Sequence, residues 1–363
     1  MQGGARLEGG FTLVEILVAT GIVVVAFAVL LQAAAAGQRI ARAQPEAADV
    51  QQRVRVAAGM ISRDLMMAGS GLAHGNPVGS LANYMPGVVP ARTGSRLADP
   101  ELTFFADRIS IFYVPQGTSA GAALTGDMAA PGSPLAIDPD GPGCPAAGDC
   151  GFSAGTRAVV FDLSEAGAGF DLFSVTGTAG GLEHGPPNPP FGRAYRGPAG
   201  FVVPIAQRIY YLDRPGRRLM LYDGHLSDTP LVDNVVDLRF AYYLDPSARG
   251  APAPNGTGGN CVYAAGPPPV PLLADFGGIA PRPAGAAEFT DGPACGVAPN
   301  RFDGDLLRVR RVRVTIRAQT GLDDLRGTGR QFRSPGVSVS GESYVPDLEV
   351  TFDIALRNLV AGR

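Results

Sequence analysis

An apolar run of helix length begins abruptly at Phe11 and carries a single carboxylate, Glu15, near its start. No other ionisable side chain follows until Arg39. The core of the run, Ile16 to Ala36, is about 21 residues long, which suits a helix crossing a hydrocarbon layer. A secretory signal differs: its apolar core is ~7–15 residues and a small-residue cleavage site follows that core. A plain uncleaved anchor has no use for Glu15. A charge placed in a membrane-spanning segment is costly and reads by default as functional.

The ten residues before the run hold one Arg (Arg6) and one Glu (Glu8) and end in Gly10. Gly10-Phe11-Thr12-Leu13-Val14-Glu15 resembles the processing site of the type IV prepilin family, which includes the pseudopilins of type II secretion. The resemblance implies a leader of residues 1–10, cleavage between Gly10 and Phe11 by a prepilin peptidase, and N-methylation of Phe11. It also implies that Glu15 acts in assembly, pairing with the free amino group of Phe11 in the same or an adjacent subunit. Further along, Arg63-Asp64-Leu65 with Ala68-Gly69 is similar to the end of the long helix in PilW-type minor pilins and J-class pseudopilins. Leu231–Leu244 resembles their penultimate region, and Phe352–Asn358 resembles their terminal strand. The stretches 117–155 and 247–300 have no counterpart in that pattern.

The family pattern implies a fold of the α+β class, a long N-terminal helix packed on a C-terminal antiparallel β-sheet domain. The residues support the same division. Val50, Val54, Ala57, Ile61 and Leu65 recur at spacings of four, three, four and four, one stripe of a helical period. Gln52, Arg53, Arg55, Arg63 and Asp64 fall mostly off that stripe. The helix is therefore expected over 11–69, membrane-spanning in 12–36 and amphipathic beyond. Its length would be roughly 85 Å at ~1.5 Å per residue. Pro45 should kink or interrupt it, and Gly69-Ser70-Gly71 should end it.

From residue 72 to 363 the helical period gives way to short β-type runs between Gly/Pro clusters. These are Thr103–Phe105, Arg108–Val114, Ala158–Leu163, Phe170–Thr176, Arg208–Leu212, Leu219–Tyr222, Asp237–Leu244, Val309–Ala318 and Leu348–Leu356. Asp213-Arg214-Pro215-Gly216 reads as a hairpin loop. Strict alternation in the last three runs, with Val236, Leu238, Phe240, Tyr242 and Leu244 on one face of the first, marks antiparallel sheet covered on one side. The alternation slips at Arg310-Arg311, where a β-bulge is the simplest account. The stretches 117–155 and 247–300 read as irregular.

Four cysteines, Cys144, Cys150, Cys261 and Cys295, all follow the apolar run. If that part is exported, disulfides are permitted. Four cysteines allow three pairings; the local ones, Cys144–Cys150 and Cys261–Cys295, each staple one irregular stretch. The chain has no Cys-x-x-Cys, which argues against zinc.

Two Gly-x-Ser-x-Gly matches, at Ser119 and Ser153, lack the strand-then-helix setting of a nucleophile elbow. His74, His184 and His225 stand apart in turn-like contexts and read as solvated loop residues. No cofactor is called for. Calcium suits oxygen-rich loops, and two are present, Asp138-Pro139-Asp140-Gly141 with Asp149, and Asn300, Asp303 and Asp305, though EF-hand spacing is absent. Arg311, Arg313 and Arg317 share one strand face. They read either as a DNA-tracking stripe or as cross-strand partners of Glu349 and Asp353. The acidic strand and a net charge of −3 favour the second and weigh against nucleic acid.

The sequence therefore reads as a non-enzymatic assembly subunit, with no catalytic residues and no metal site assigned. The resemblance implies the inner membrane, a single pass, a periplasmic C-terminal domain, and later a pilus or pseudopilus. It implies other minor pilins or pseudopilins as partners, through helix bundling, with a place at the filament tip. Alternatives from other classes are a tip adhesin or DNA-uptake binder, and a pilin-like anchor carrying an enzyme.

Overall fold

The computed structural model describes residues 12–72, 81, 84–115, 121–138, 150–163, 169–186, 188–245, 280–326 and 345–361. One helix, α1 (Leu13–Met67), leads into β1 (Val88–Val89), β2 (Arg108–Tyr113), β3 (Ala122–Ala123), β4 (Arg157–Asp162), β5 (Phe170–Ser174), β6 (Gly200–Pro204) and β7 (Ala206–Asp213). Then come β8 (Arg218–Tyr222), β9 (Asp228–Asp233), β10 (Val235–Leu244), β11 (Arg282–Ala284), β12 (Ala294–Cys295), β13 (Phe302–Asp303), β14 (Val309–Ala318), β15 (Leu348–Ala355) and a last turn of helix, α2 (Asn358–Ala361). The class is α+β, an apolar N-terminal helix followed by antiparallel sheets. By contacts the chain forms two units, Met1–Gln51 with Gln319–Asp347, and Gln52–Ala318 with Leu348–Arg363.

The helix as far as Gln51 is the main element of the first unit, and its last turns belong to the second. α1 is 55 residues long, about 82 Å at ~1.5 Å per residue, and it runs through Pro45 without a break. The expected interruption does not occur. Proline removes one backbone donor, but the neighbouring Glu46 accepts from Thr320 Oγ1 at 2.6 Å, and Ala43 and Val50 are buried. Tertiary contact holds this turn helical. Leu325 and Val345 are buried in the same unit, and a parallel bridge joins Arg326 to Val345.

In the second unit three sheets share one core. Their orders are β1-β2-β7-β8-β9, β11-β10-β14-β15 and β3-β6-β4-β5, with β12-β13 as a separate pair. The stripe residues Ala57, Ile61 and Leu65 are fully buried and join Phe112, Tyr210, Leu238, Phe240, Val314 and Ile316 in the main cluster. The β4 sheet is covered on both faces. Val159, Phe161, Leu172 and Val203 face the main cluster. Ala158, Val160, Phe173 and Val202 face a second one with Leu135, Phe191 and Tyr195. Two-sided burial is why these strands read as continuous apolar runs and not as alternating ones.

Several expectations change. Thr103–Phe105 is loop, held because Phe104 packs against the rings of Tyr242 and Phe289, 5.9 and 5.8 Å away, which lie 5.4 Å from each other. Val235, not Val236, is the buried residue at the start of β10, because the register shifts between Val235 and Asp237. The expected bulge is present: Tyr243 pairs with Arg311 and Leu244 with Val309, leaving Arg310 extra. The hairpin at 213–216 is also present, closed by Asp213 opposite Arg218. The stretches read as irregular are in part ordered. β3 and the bridges Leu124–Ile137 and Leu135–Leu182 lie in one, and β11 and β12 in the other.

Candidate functional site

The start of α1 is a closed hydrogen-bonded turn. Thr12 precedes the helix, and its hydroxyl meets the backbone N–H of Glu15 at 3.3 Å. The Glu15 carboxylate reaches back, accepting from the Thr12 N–H and hydroxyl, both at 2.9 Å on Oε2. This is a capping box, in which Thr and a Glu three residues on satisfy otherwise orphaned helix-end donors. Thr12 was not singled out in the sequence, although Thr12-x-x-Glu15 is the pattern of such a box. Gly10 and Phe11 lie outside the described residues, as do the other leader residues.

Beyond the cap, Leu13–Ala34 forms a 22-residue stretch of mean hydropathy 2.7, none of it buried within the protein. Its large apolar side chains, from Leu13 to Leu31, are 51–78% exposed. Apolar surfaces of this extent are, in general, those that meet membranes or partners. At ~1.5 Å per residue the stretch is about 33 Å long, enough to cross a hydrocarbon core of ~30 Å. The Thr20 hydroxyl donates to the Ile16 carbonyl at 2.8 Å, so this polar group is satisfied within the helix. One helix is thus long and apolar enough to span a membrane.

The other end of the helix is fastened by polar contacts. Asp64, off the apolar stripe, is nonetheless buried and accepts from Tyr113 Oη at 2.9 Å and Tyr210 Oη at 2.6 Å. Tyr113 is on β2 and Tyr210 on β7, so one carboxyl ties the helix to two neighbouring strands. Burial, then the Asp64 charge, pushes the Tyr210 hydroxyl well above the usual phenol range, and Tyr113 is raised for the same reasons. Both phenols stay protonated as donors. The helix ends at Met67. Gly69 has φ +73°, where glycine is favoured, and its N–H donates to the Phe112 carbonyl at 2.8 Å. Asn358 Nδ2 donates to the Met66 carbonyl at 2.9 Å.

The remaining sequence candidates fall into scattered structural roles. Cys150 and Cys295 are fully buried and neither is a free thiol; Cys144 and Cys261 lie outside the described residues. Ser153 is exposed in a turn and its hydroxyl lies 3.3 Å from that of Thr156; Ser119 is not described. His184 is not solvated. It is buried, stacked 3.7 Å from the Phe191 ring, with Nε2 at 2.8 Å from the Ser133 carbonyl, and burial lowers its pKa. His225 is half-buried, with Nδ1 3.4 Å from the Ser95 hydroxyl; His74 is not described.

Asn300, Asp303 and Asp305 turn to different partners. Asn300 donates to Asp171 at 3.0 Å, Asp303 accepts from the N–H groups of Asp305 and Gly292, and Asp305 pairs with Arg308 at 2.8 Å. Among the described residues no group of three or more His, Cys, Asp or Glu is placed to hold a metal. Of the other acidic loop only Asp138 is described. On the last sheet Asp353 takes two parallel hydrogen bonds from Arg313, both 3.0 Å, and Arg311 lies 4.0 Å away. Arg317 stands opposite Glu349. The arginine face is thus matched across the strands. No family model matches this chain, and neither a curated protein nor a solved structure does.

Proposed function

We propose that this chain is a minor pilin or pseudopilin, a non-enzymatic subunit that assembles into or primes a type IV pilus or a type II secretion pseudopilus. The observation that carries the reading is the exposed 22-residue apolar helix with its one carboxylate, Glu15, in the first turn, directly after Gly10-Phe11. A prepilin peptidase removes residues 1–10, and Phe11 becomes the methylated N-terminus. The helix holds the subunit in the inner membrane with its C-terminal domain in the periplasm. On assembly, the helices of neighbouring minor subunits replace lipid around it. In the filament Glu15 exchanges its Thr12 contacts for the Phe11 amino group. An unpaired buried carboxylate costs several kcal/mol, so pairing fixes the register between helices. The Asp64 contacts keep the sheet domain attached to the helix while it is drawn from the membrane. Cys144–Cys150 and Cys261–Cys295 are the proposed disulfides, and the proposed position is the tip, where a large domain need not repeat along the shaft.

The test is incorporation. Glu15→Ala should leave membrane insertion and leader cleavage intact, since removing a charge only eases partitioning into lipid. Its amount in purified filaments should fall sharply while its amount in membranes stays level. Equal incorporation of mutant and wild type would make the helix a plain anchor.

A further inference from the structure

The second unit contains a cavity of about 130 Å³ between the segment Val89–Thr103, strands β4 and β5, and the segment Phe289–Leu306. Rings of Phe112, Phe170, Phe289 and Phe302 line it. So do three acidic residues, each already engaged. Asp99 accepts from Arg108 at 2.9 Å and from the Arg92 N–H at 2.6 Å. Glu101 pairs with Arg301 at 2.8 Å. Asp303 accepts from the N–H groups of Gly292 and Asp305.

Two further lining arginines make no direct salt bridge among the described residues. Arg157 donates from Nε to Gln207 Oε1 at 2.8 Å and from Nη1 to the Ser174 hydroxyl at 3.4 Å, both neutral groups. Arg92 lies over the Tyr211 ring at 4.9 Å, and its buried Nε has no hydrogen-bond partner. Neither arginine makes an ion pair among the described residues. Arg157 is held in place, because Gln207 in turn donates to Thr93 at 2.8 Å and Thr93 to Ser110 at 2.9 Å. Burial pulls Arg157 down to about 10, with Tyr222 and Asp223 acting the other way, so it remains a cation at neutral pH. The Asp223 Oδ1 is occupied by the N–H groups of His225, Leu226 and Ser227. A positioned guanidinium beside aromatic rings fits a carboxylate on an apolar body, since its planar fork matches that anion. The size is right for one ring: an apolar cavity of ~150 Å³ accepts benzene.

We propose that this cavity binds a small carboxylic acid with a ring-sized apolar body, the carboxylate on Arg157 and the body among the phenylalanines. The site stands on the sheet unit alone and does not depend on the membrane helix. The experiment titrates the full chain in detergent micelles with benzoate and with benzamide, its uncharged counterpart, by calorimetry against empty micelles. Benzoate should bind saturably and at least about tenfold more tightly than benzamide. Arg157→Gln should abolish the preference; Arg92→Gln, at a half-buried position, should reduce it several-fold and serves where the first variant does not fold. Absence of saturable benzoate binding, equal binding of the two compounds, or an unchanged preference in the folded variants would overturn the proposal.

Discussion

Asp64 on the helix accepts a 2.6 Å hydrogen bond from Tyr210 on the central part of the first sheet, within the main core. Tyr113 completes the arrangement at 2.9 Å. Tyr210→Phe removes one donor from a buried carboxyl and should destabilise the protein by about 1–3 kcal/mol. Asp64→Ala should cost more, because it removes both hydrogen bonds at once and takes the acceptor from the buried Tyr210 hydroxyl. The double variant should be no worse than Asp64→Ala alone, since the two residues share one interaction. Denaturant unfolding of the detergent-solubilised chain measures all three. Additive losses would mean that the two residues act independently.

Stability should depend on pH through His184. Burial lowers its folded-state pKa below the ordinary value of 6.5. As pH falls through about 6.5 the unfolded chain takes up a proton first, so the folded state loses ground. Its contribution is full above that pH and is lost as pH drops toward the lowered value. The difference in unfolding midpoint between wild type and His184→Gln should therefore shrink from pH 7.5 to about pH 5. A difference that grows on acidification would contradict the stacked, neutral imidazole.

The staples are open to direct mapping. Non-reducing peptide maps of the exported protein should recover Cys144 with Cys150 and Cys261 with Cys295. A closed loop the length of the second should contribute roughly 3–4 kcal/mol on the chain-entropy account, so reduction should lower the unfolding midpoint. Recovery of crossed pairs would refute the local connectivity, and free thiols would place the domain on the cytoplasmic side.

The sequence made the helix and the last sheet legible because each presents one repeating period to one partner. The stripe from Val50 to Leu65 and the strands Val309–Ala318 and Leu348–Ala355 follow it residue by residue. Even the bulge at Arg310 was visible as a slip in alternation. What stayed hidden depends on partners far along the chain. Asp64 reads only as a residue off the apolar stripe, because nothing near it announces Tyr113 or Tyr210, 49 and 146 residues away. His184 sits beside Gly and Pro, yet Phe191 and Ser133 bury it. Gly200–Pro204 was missed as a strand because five residues ending in proline carry too little pattern, while its hydrogen bonds come from β3 and β4. The cap is legible as Thr12-x-x-Glu15, although the same Glu15 also reads as a lone charge in an apolar run.

The most direct measurement of the central claim is the intact mass of the protein extracted from membranes of cells with an active prepilin peptidase. The account predicts a chain beginning at Phe11, lacking residues 1–10 and carrying one added methyl group. It also predicts retention of the leader when the peptidase is absent. A mass that still includes residues 1–10 in cells with the active peptidase would contradict it.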